Sequence, residues 1–77
     1  MPTVFTEDGY RFFFYSNEHL PLHVHVVHGG GEAVFEVGED VVLKETRGMS
    51  LKDLTKAQRL AKKNRKLIKE KWHVFFS

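Results

Sequence analysis

Four of the five histidines of this chain fall within eleven residues, Glu18 to His28, reading EHLPLHVHVVH. Imidazole does two kinds of chemistry near neutral pH. A neutral ring nitrogen ligates divalent metals, and the ring moves protons as general acid or base. In an extended strand alternate side chains share a face, so His23 and His25 point the same way with Cβ atoms roughly 7 Å apart. Two imidazoles so spaced can converge on one metal at ligand distances of about 2.0–2.1 Å. His19 lies before Pro21 and becomes the third ligand if that loop folds back. Glu18 is then a fourth ligand, or a carboxylate that orients an imidazole. His28 is an odd number of residues from His25 and faces away in a regular strand. With no cysteine in the chain, the metal would be zinc or another divalent ion held by nitrogen and oxygen donors.

Two other readings of the same residues stand beside the metal site. His23 and His25 could work as donor and acceptor across a phosphodiester, with Arg11 on the phosphate, as a metal-independent ribonuclease. Tyr10 or Tyr15 on the adjacent strand would then help to stabilise charge. In the plainest reading they are half-buried polar residues on a strand, bonded to neighbours or water, with no cofactor. Spacing argues against two familiar patterns. A cupin would place a glutamate four or five residues after the second histidine, whereas Glu32 is seven after His25. A histidine-triad hydrolase alternates three histidines with apolar residues, and HVHVVH inserts an extra valine.

The elements that must position these residues are mostly strands. TVFT and YRFFFY flank Asp8-Gly9, a favoured hairpin turn because both residues tolerate positive φ. Tyr10, Phe12 and Phe14 share one face of the second strand; Arg11, Phe13 and Tyr15 share the other. Aromatic residues on both faces imply that both are at least partly covered. Ser16, Asn17 and Pro21 break the chain before LHVHVVH resumes. Gly29-Gly30-Gly31 forms a loose turn into EAVFEV, and Gly38-Glu39-Asp40 turns into VVLKET. Short connections make an antiparallel meander of four to five strands the economical topology. From about Leu51 the spacing turns helical, with Ser50 or Thr55 as N-cap. Leu54, Ala57, Leu60, Ala61, Leu67, Ile68, Trp72 and Phe75 fall on one arc of the helix. Asn64 interrupts that arc, so a break near Asn64 or a hydrogen bond to the sheet is expected there. The expected fold is α+β, a single domain over residues 1–77. Phe12, Phe14, Phe35, Leu54, Leu60, Ile68 and Trp72 should lie in its core.

Charge is divided along the chain. Residues 1–43 carry Arg11 against seven acidic residues, while residues 44–77 carry the other eleven lysines and arginines against Glu45, Asp53 and Glu70. Lys56, Arg59, Lys62, Lys63, Lys66 and Lys69 give the helix a basic side. Like charges so close repel by a few tenths of a kcal/mol per pair. A basic helix face is either solvated surface or an electrostatic footprint for phosphates, RNA or DNA, or for an acidic protein partner. No base-reading motif accompanies it, and the strand aromatics are better read as core than as a stacking platform.

The chain resembles a family of small, mostly bacterial proteins classified only as domain of unknown function four-one-six-zero. The residues that carry the resemblance are the aromatic hairpin MPTVFTEDGYRFFFYSNEH, the stretch EHLPLHVHV and the closing helix AKKNRKLIKEKWHVFF. His19, Pro21, His23 and His25 match a histidine-x-proline-x-histidine-x-histidine signature, although members usually have a second proline where Leu22 stands here. Asn64, Trp72 and Phe75 match the C-terminal pattern. The resemblance implies an α+β fold, a cytoplasmic prokaryotic setting and a small protein partner encoded nearby, in a toxin–antitoxin-like arrangement. It implies no reaction.

Seventy-seven residues bury a small core, so good packing, a partner chain or a bound metal must support the fold. The N-terminus lacks the basic-then-apolar pattern of a signal peptide, and no run of about 18 apolar residues spans a membrane. The function expected is that of a cytoplasmic toxin–antitoxin-type component. It would bind nucleic acid or an acidic partner through the basic helix, as one half of a pair or as a homo-oligomer. The ribonuclease and the histidine metal site are the alternatives.

Overall fold

The computed structural model describes residues 3–76. Five strands, β1 (Thr3–Glu7), β2 (Tyr10–Phe13), β3 (His23–His28), β4 (Gly31–Val37) and β5 (Val41–Arg47), precede two helices, α1 (Leu51–Lys63) and α2 (Arg65–Phe76). Spatial order follows chain order, β1-β2-β3-β4-β5, and each neighbouring pair is antiparallel. The fold is therefore the expected α+β meander. The turns explain it locally. Asp8 and Gly9 have φ of 52° and 79°, the positive pair that suits a two-residue turn to the twist of its strands. Gly29 and Gly30 repeat this with φ of 54° and 82°. The three-glycine turn is thus tight rather than loose, and Gly31 begins β4 instead. A Cβ on Gly31 would lie 2.7 Å from the Gly48 carbonyl oxygen and 2.9 Å from the Met49 Cα. Only glycine lets the chain leaving β5 cross there.

The helix breaks where the sequence pattern predicts. Ser50 caps α1 by accepting from the Asp53 amide at 3.1 Å. Asn64 ends it. The Asn64 side chain donates to the Leu60 carbonyl at 2.9 Å and to Glu7 at 3.2 Å, and the Asn64 backbone carbonyl accepts from the Ile68 amide at 3.0 Å. A polar residue on the apolar arc therefore satisfies the helix end and ties it to β1. One face of the sheet (Tyr10, Phe12, Val24, Val26, Ala33, Phe35, Val37 and Val41) packs on Ala57, Leu60, Ala61, Ile68 and Trp72 of the helices. Phe14 joins this core edge-on to Trp72, with ring centroids 5.2 Å apart. Of the expected core residues only Leu54 is partly rather than fully buried. Among the described residues no helix is long and apolar enough to cross a membrane.

Candidate metal centre

The helices cover one face of the sheet and leave the other open. Register arranges the open face in rows across the strands. Arg11, Val27, Glu32 and Arg47 form one row; Phe13, His25, Val34 and Glu45 form the next; His23, Glu36 and Val42 form a third. His23 and His25 thus share a face, as strand periodicity requires. The chain between β2 and β3, residues 14–22, loops over the end of this face. Phe14 anchors it in the core, and the Leu22 carbonyl accepts from the Val37 amide at 2.9 Å. That path brings Glu18 back over the two histidines.

Glu18 Oε2 lies 2.7 Å from His23 Nε2 and 3.0 Å from His25 Nε2. The three donor atoms all lie within 4.8 Å of one another. The second nitrogen of His23, Nδ1, is 2.8 Å from the Pro21 carbonyl oxygen. A carbonyl only accepts, so Nδ1 carries the proton in that bond. A neutral His23 then presents the Nε2 lone pair to a carboxylate lone pair at 2.7 Å. Two lone pairs repel at that range unless a positive charge, a proton or a metal ion, lies between them. His25 is held by aromatic neighbours: Tyr15 meets it edge-on at 4.5 Å and Phe13 stacks at 5.5 Å. Trp72 of α2 lies 5.6 Å from the His23 ring. The side chains of Glu18, His23 and His25 are 10, 23 and 18% exposed. They are enclosed enough to be held, yet open to a ligand.

The other residues singled out in the sequence are placed differently. His19 is exposed and is not among the three converging residues; Glu18 occupies the position expected of it. His28 faces the helices, stacks on Tyr10 at 3.8 Å and hydrogen-bonds the Gly9 carbonyl. Tyr10 lies on the core side too, with its hydroxyl donating to Asp53 at 3.2 Å. Burial, and then that carboxylate, raise the phenol above its ordinary pKa. Arg11 sits one row from His25, its guanidinium 4.7 Å over the Phe13 ring and its Nε donating to Thr3. Glu18 carried only a weak sequence signal, a carboxylate five residues before His23. No periodicity places a loop residue relative to a strand.

Three cations of the basic helices are paired from within the chain. Lys63 binds Glu7 at 2.6 Å, Lys56 binds Asp8 at 3.3 Å and Lys62 reaches Asp40 at 3.7 Å. Arg65 donates to the Gly38 and Glu39 carbonyls. The acidic hairpin turns of the N-terminal half thus meet the basic C-terminal half. Hydrogen bonds from Lys63 and then Asn64 hold the Glu7 carboxyl below the usual range, and the bond to Glu7 holds the Lys63 ammonium above its own. Arg59, Lys66 and Lys69 have no ion-pair partner among the described residues.

A family model described as Domain of unknown function (DUF4160) matches residues 9–73. The chain belongs to this family. No curated protein and no solved structure matches it. The DUF4160 match runs from the β1–β2 turn into α2 and includes Glu18, His23 and His25. Its description specifies no reaction, so chemistry must be argued from the donor atoms themselves.

Proposed function

We propose that this DUF4160 protein binds a divalent metal ion, with zinc the best match, through Glu18, His23 and His25. One observation carries the reading: two imidazole Nε2 atoms converge within 3.0 Å of a single carboxylate oxygen. The Pro21 carbonyl holds the far side of one ring, as backbone carbonyls commonly orient metal-ligating histidines. Two nitrogens and one oxygen are a familiar zinc donor set. Ligands about 2.0–2.1 Å from a tetrahedral ion lie about 3.4 Å apart, so the two Glu18–histidine separations need open by only about half an ångström. The convergence favours ligation over acid–base work on a phosphodiester, for which His23 and His25 would have to flank a substrate rather than meet at a point. The reading is tested by elemental analysis of untagged protein dialysed against dilute zinc. One zinc per chain in the wild type, and much less in Glu18→Ala and His25→Ala, is the expected result. Equal content in wild type and both variants rejects it.

A second reading keeps the chain as a cytoplasmic toxin–antitoxin-type binding module for RNA, DNA or an acidic partner. Of the six cations named on the basic side of the helices, it is supported by Arg59, Lys66 and Lys69, which the acidic turns leave without a carboxylate. The other three, Lys56, Lys62 and Lys63, are engaged, which narrows the charge available. Nucleic-acid retention that falls steeply with salt supports this reading. Retention unchanged by Lys66→Glu with Arg59→Glu refutes it.

A further inference from the structure

The convergent site opens onto a trough along the uncovered sheet face. Two adjoining clefts of about 530 and 280 Å³ share His25, Val34 and Glu45 as walls. Phe13 and Tyr15 line the larger one beside His25. Among the described residues three protein donors converge at the proposed metal centre, so a four-coordinate ion keeps one position for water or an incoming ligand, as ligand-exchanging zinc sites do. Both histidines line the smaller cleft, so that position has access to the trough.

The charges along the trough specify what can lie in it. Glu32 is paired with Arg47, and Glu36 with Lys44 at 3.5 Å. Glu45, between those pairs, has no ion-pair partner among the described residues. Two neutral imidazoles and one carboxylate leave a divalent ion with one net positive charge. The trough therefore offers a cationic centre at His25 and an unpaired anion at Glu45, with Val34 between them and aromatic rings alongside. Register puts His25, Val34 and Glu45 in one row across three adjacent strands. The lateral distance between the outer two is thus about 10 Å. A ligand with about 5 Å between its own charged groups, a metal–oxygen bond of about 2 Å at one end and a hydrogen bond of about 3 Å at the other, spans a distance of the order of that strand separation.

Building on the metal reading above, we propose that this trough binds a short zwitterion. Its carboxylate takes the open metal position, its ammonium meets Glu45, and its body lies on Val34 beside Tyr15. A simple carboxylic acid would leave Glu45 unmatched, and a simple amine would leave the metal unmatched.

The test uses the full chain loaded with cobalt(II), whose visible spectrum reports ligand exchange at the ion. The probes are 4-aminobutyrate, butyrate and butylamine, of which only the first carries both groups. 4-Aminobutyrate should shift the spectrum at a concentration about tenfold lower than butyrate, the effect of one charge-assisted hydrogen bond. Butylamine should leave the spectrum unchanged. Glu45→Gln should bind cobalt as the wild type does, yet bring 4-aminobutyrate down to the level of butyrate. Wild-type protein that binds cobalt but responds equally to the two acids, or a Glu45→Gln variant that keeps the preference, overturns the zwitterion site alone. Wild-type protein that binds no cobalt overturns the metal reading and this proposal with it.

Discussion

Replacing Glu18 with alanine removes the one proposed ligand that lies off the sheet, and the loss can be sized. A ligand that binds only the folded state, present at 100 times its dissociation constant, stabilises by about 2.7 kcal/mol. In a domain of this size that raises Tm by roughly 10–20 °C. If one of three donors is lost and affinity falls about 100-fold, the same zinc concentration sits near the new dissociation constant. Stabilisation then drops to about 0.4 kcal/mol, a rise of only about 2 °C. The comparison is made within each protein, with zinc against chelator, because Glu18 also hydrogen-bonds His25 and its removal shifts the baseline. Differential scanning calorimetry gives both scans. His19→Ala serves as control: the residue is exposed and outside the cluster, so its zinc shift should equal that of the wild type. A wild type indifferent to zinc, or a Glu18→Ala protein that gains as much as the wild type, would refute the reasoning. A His19→Ala protein that loses its shift would show that the histidine expected from the sequence, and not Glu18, completes the centre.

Three more outcomes follow from the structure. Gly31→Ala drives a Cβ into backbone atoms of Gly48 and Met49 that have no side-chain freedom to move aside; a loss of about 1–3 kcal/mol is expected in urea denaturation, and an unchanged midpoint would refute that crossing. Glu7, its carboxyl held down by Lys63 and Asn64, adds stability that is complete above the ordinary glutamate range and is lost as pH falls through its lowered folded value. Glu7→Gln should therefore be less stable than the wild type at about pH 7, with the gap closing towards about pH 3; a gap that persists or widens in acid contradicts this. Phe12, fully buried and stacked on Phe5 at 4.4 Å, should cost about 3–5 kcal/mol as alanine, enough to unfold much of so small a domain. Retention of wild-type circular dichroism and Tm by Phe12→Ala would show that the core lies elsewhere.

Much of the fold was legible because its signals are local. Asp8-Gly9 makes a turn by virtue of the φ values its residues tolerate, and alternation alone places His23 and His25 on one face. The apolar arc and its interruption at Asn64 mark two helices. The charge division was equally legible, but its meaning was not. Lys63 and Glu7 are 56 residues apart, and nothing in the spacing of either half shows that the acidic turns lie beneath the basic helices. A lysine run read alone looks like a binding face. In the folded chain half of its named cations are already paired.

The candidate site divides along the same line. Its two histidines follow from strand periodicity, which repeats every two residues whatever the rest of the chain does. Its carboxylate depends on the path of residues 14–22, set by Phe14 in the core and by the Leu22 bond to Val37 on β4, the neighbour of the strand that the loop enters. Glu18 and His19 are neighbours in the chain and chemically plausible alike; the loop's path brings one to the imidazoles and leaves the other in solvent. Glu45 enters the trough only because β3, β4 and β5 pair in a register that lines it up with Val34 and His25. By itself the sequence determined the elements, their turns and the shared face of the histidines, since these follow from backbone sterics and side-chain period. Only the tertiary structure decided which carboxylate meets the two histidines and which charges remain unpaired, since both depend on the folded path of the chain.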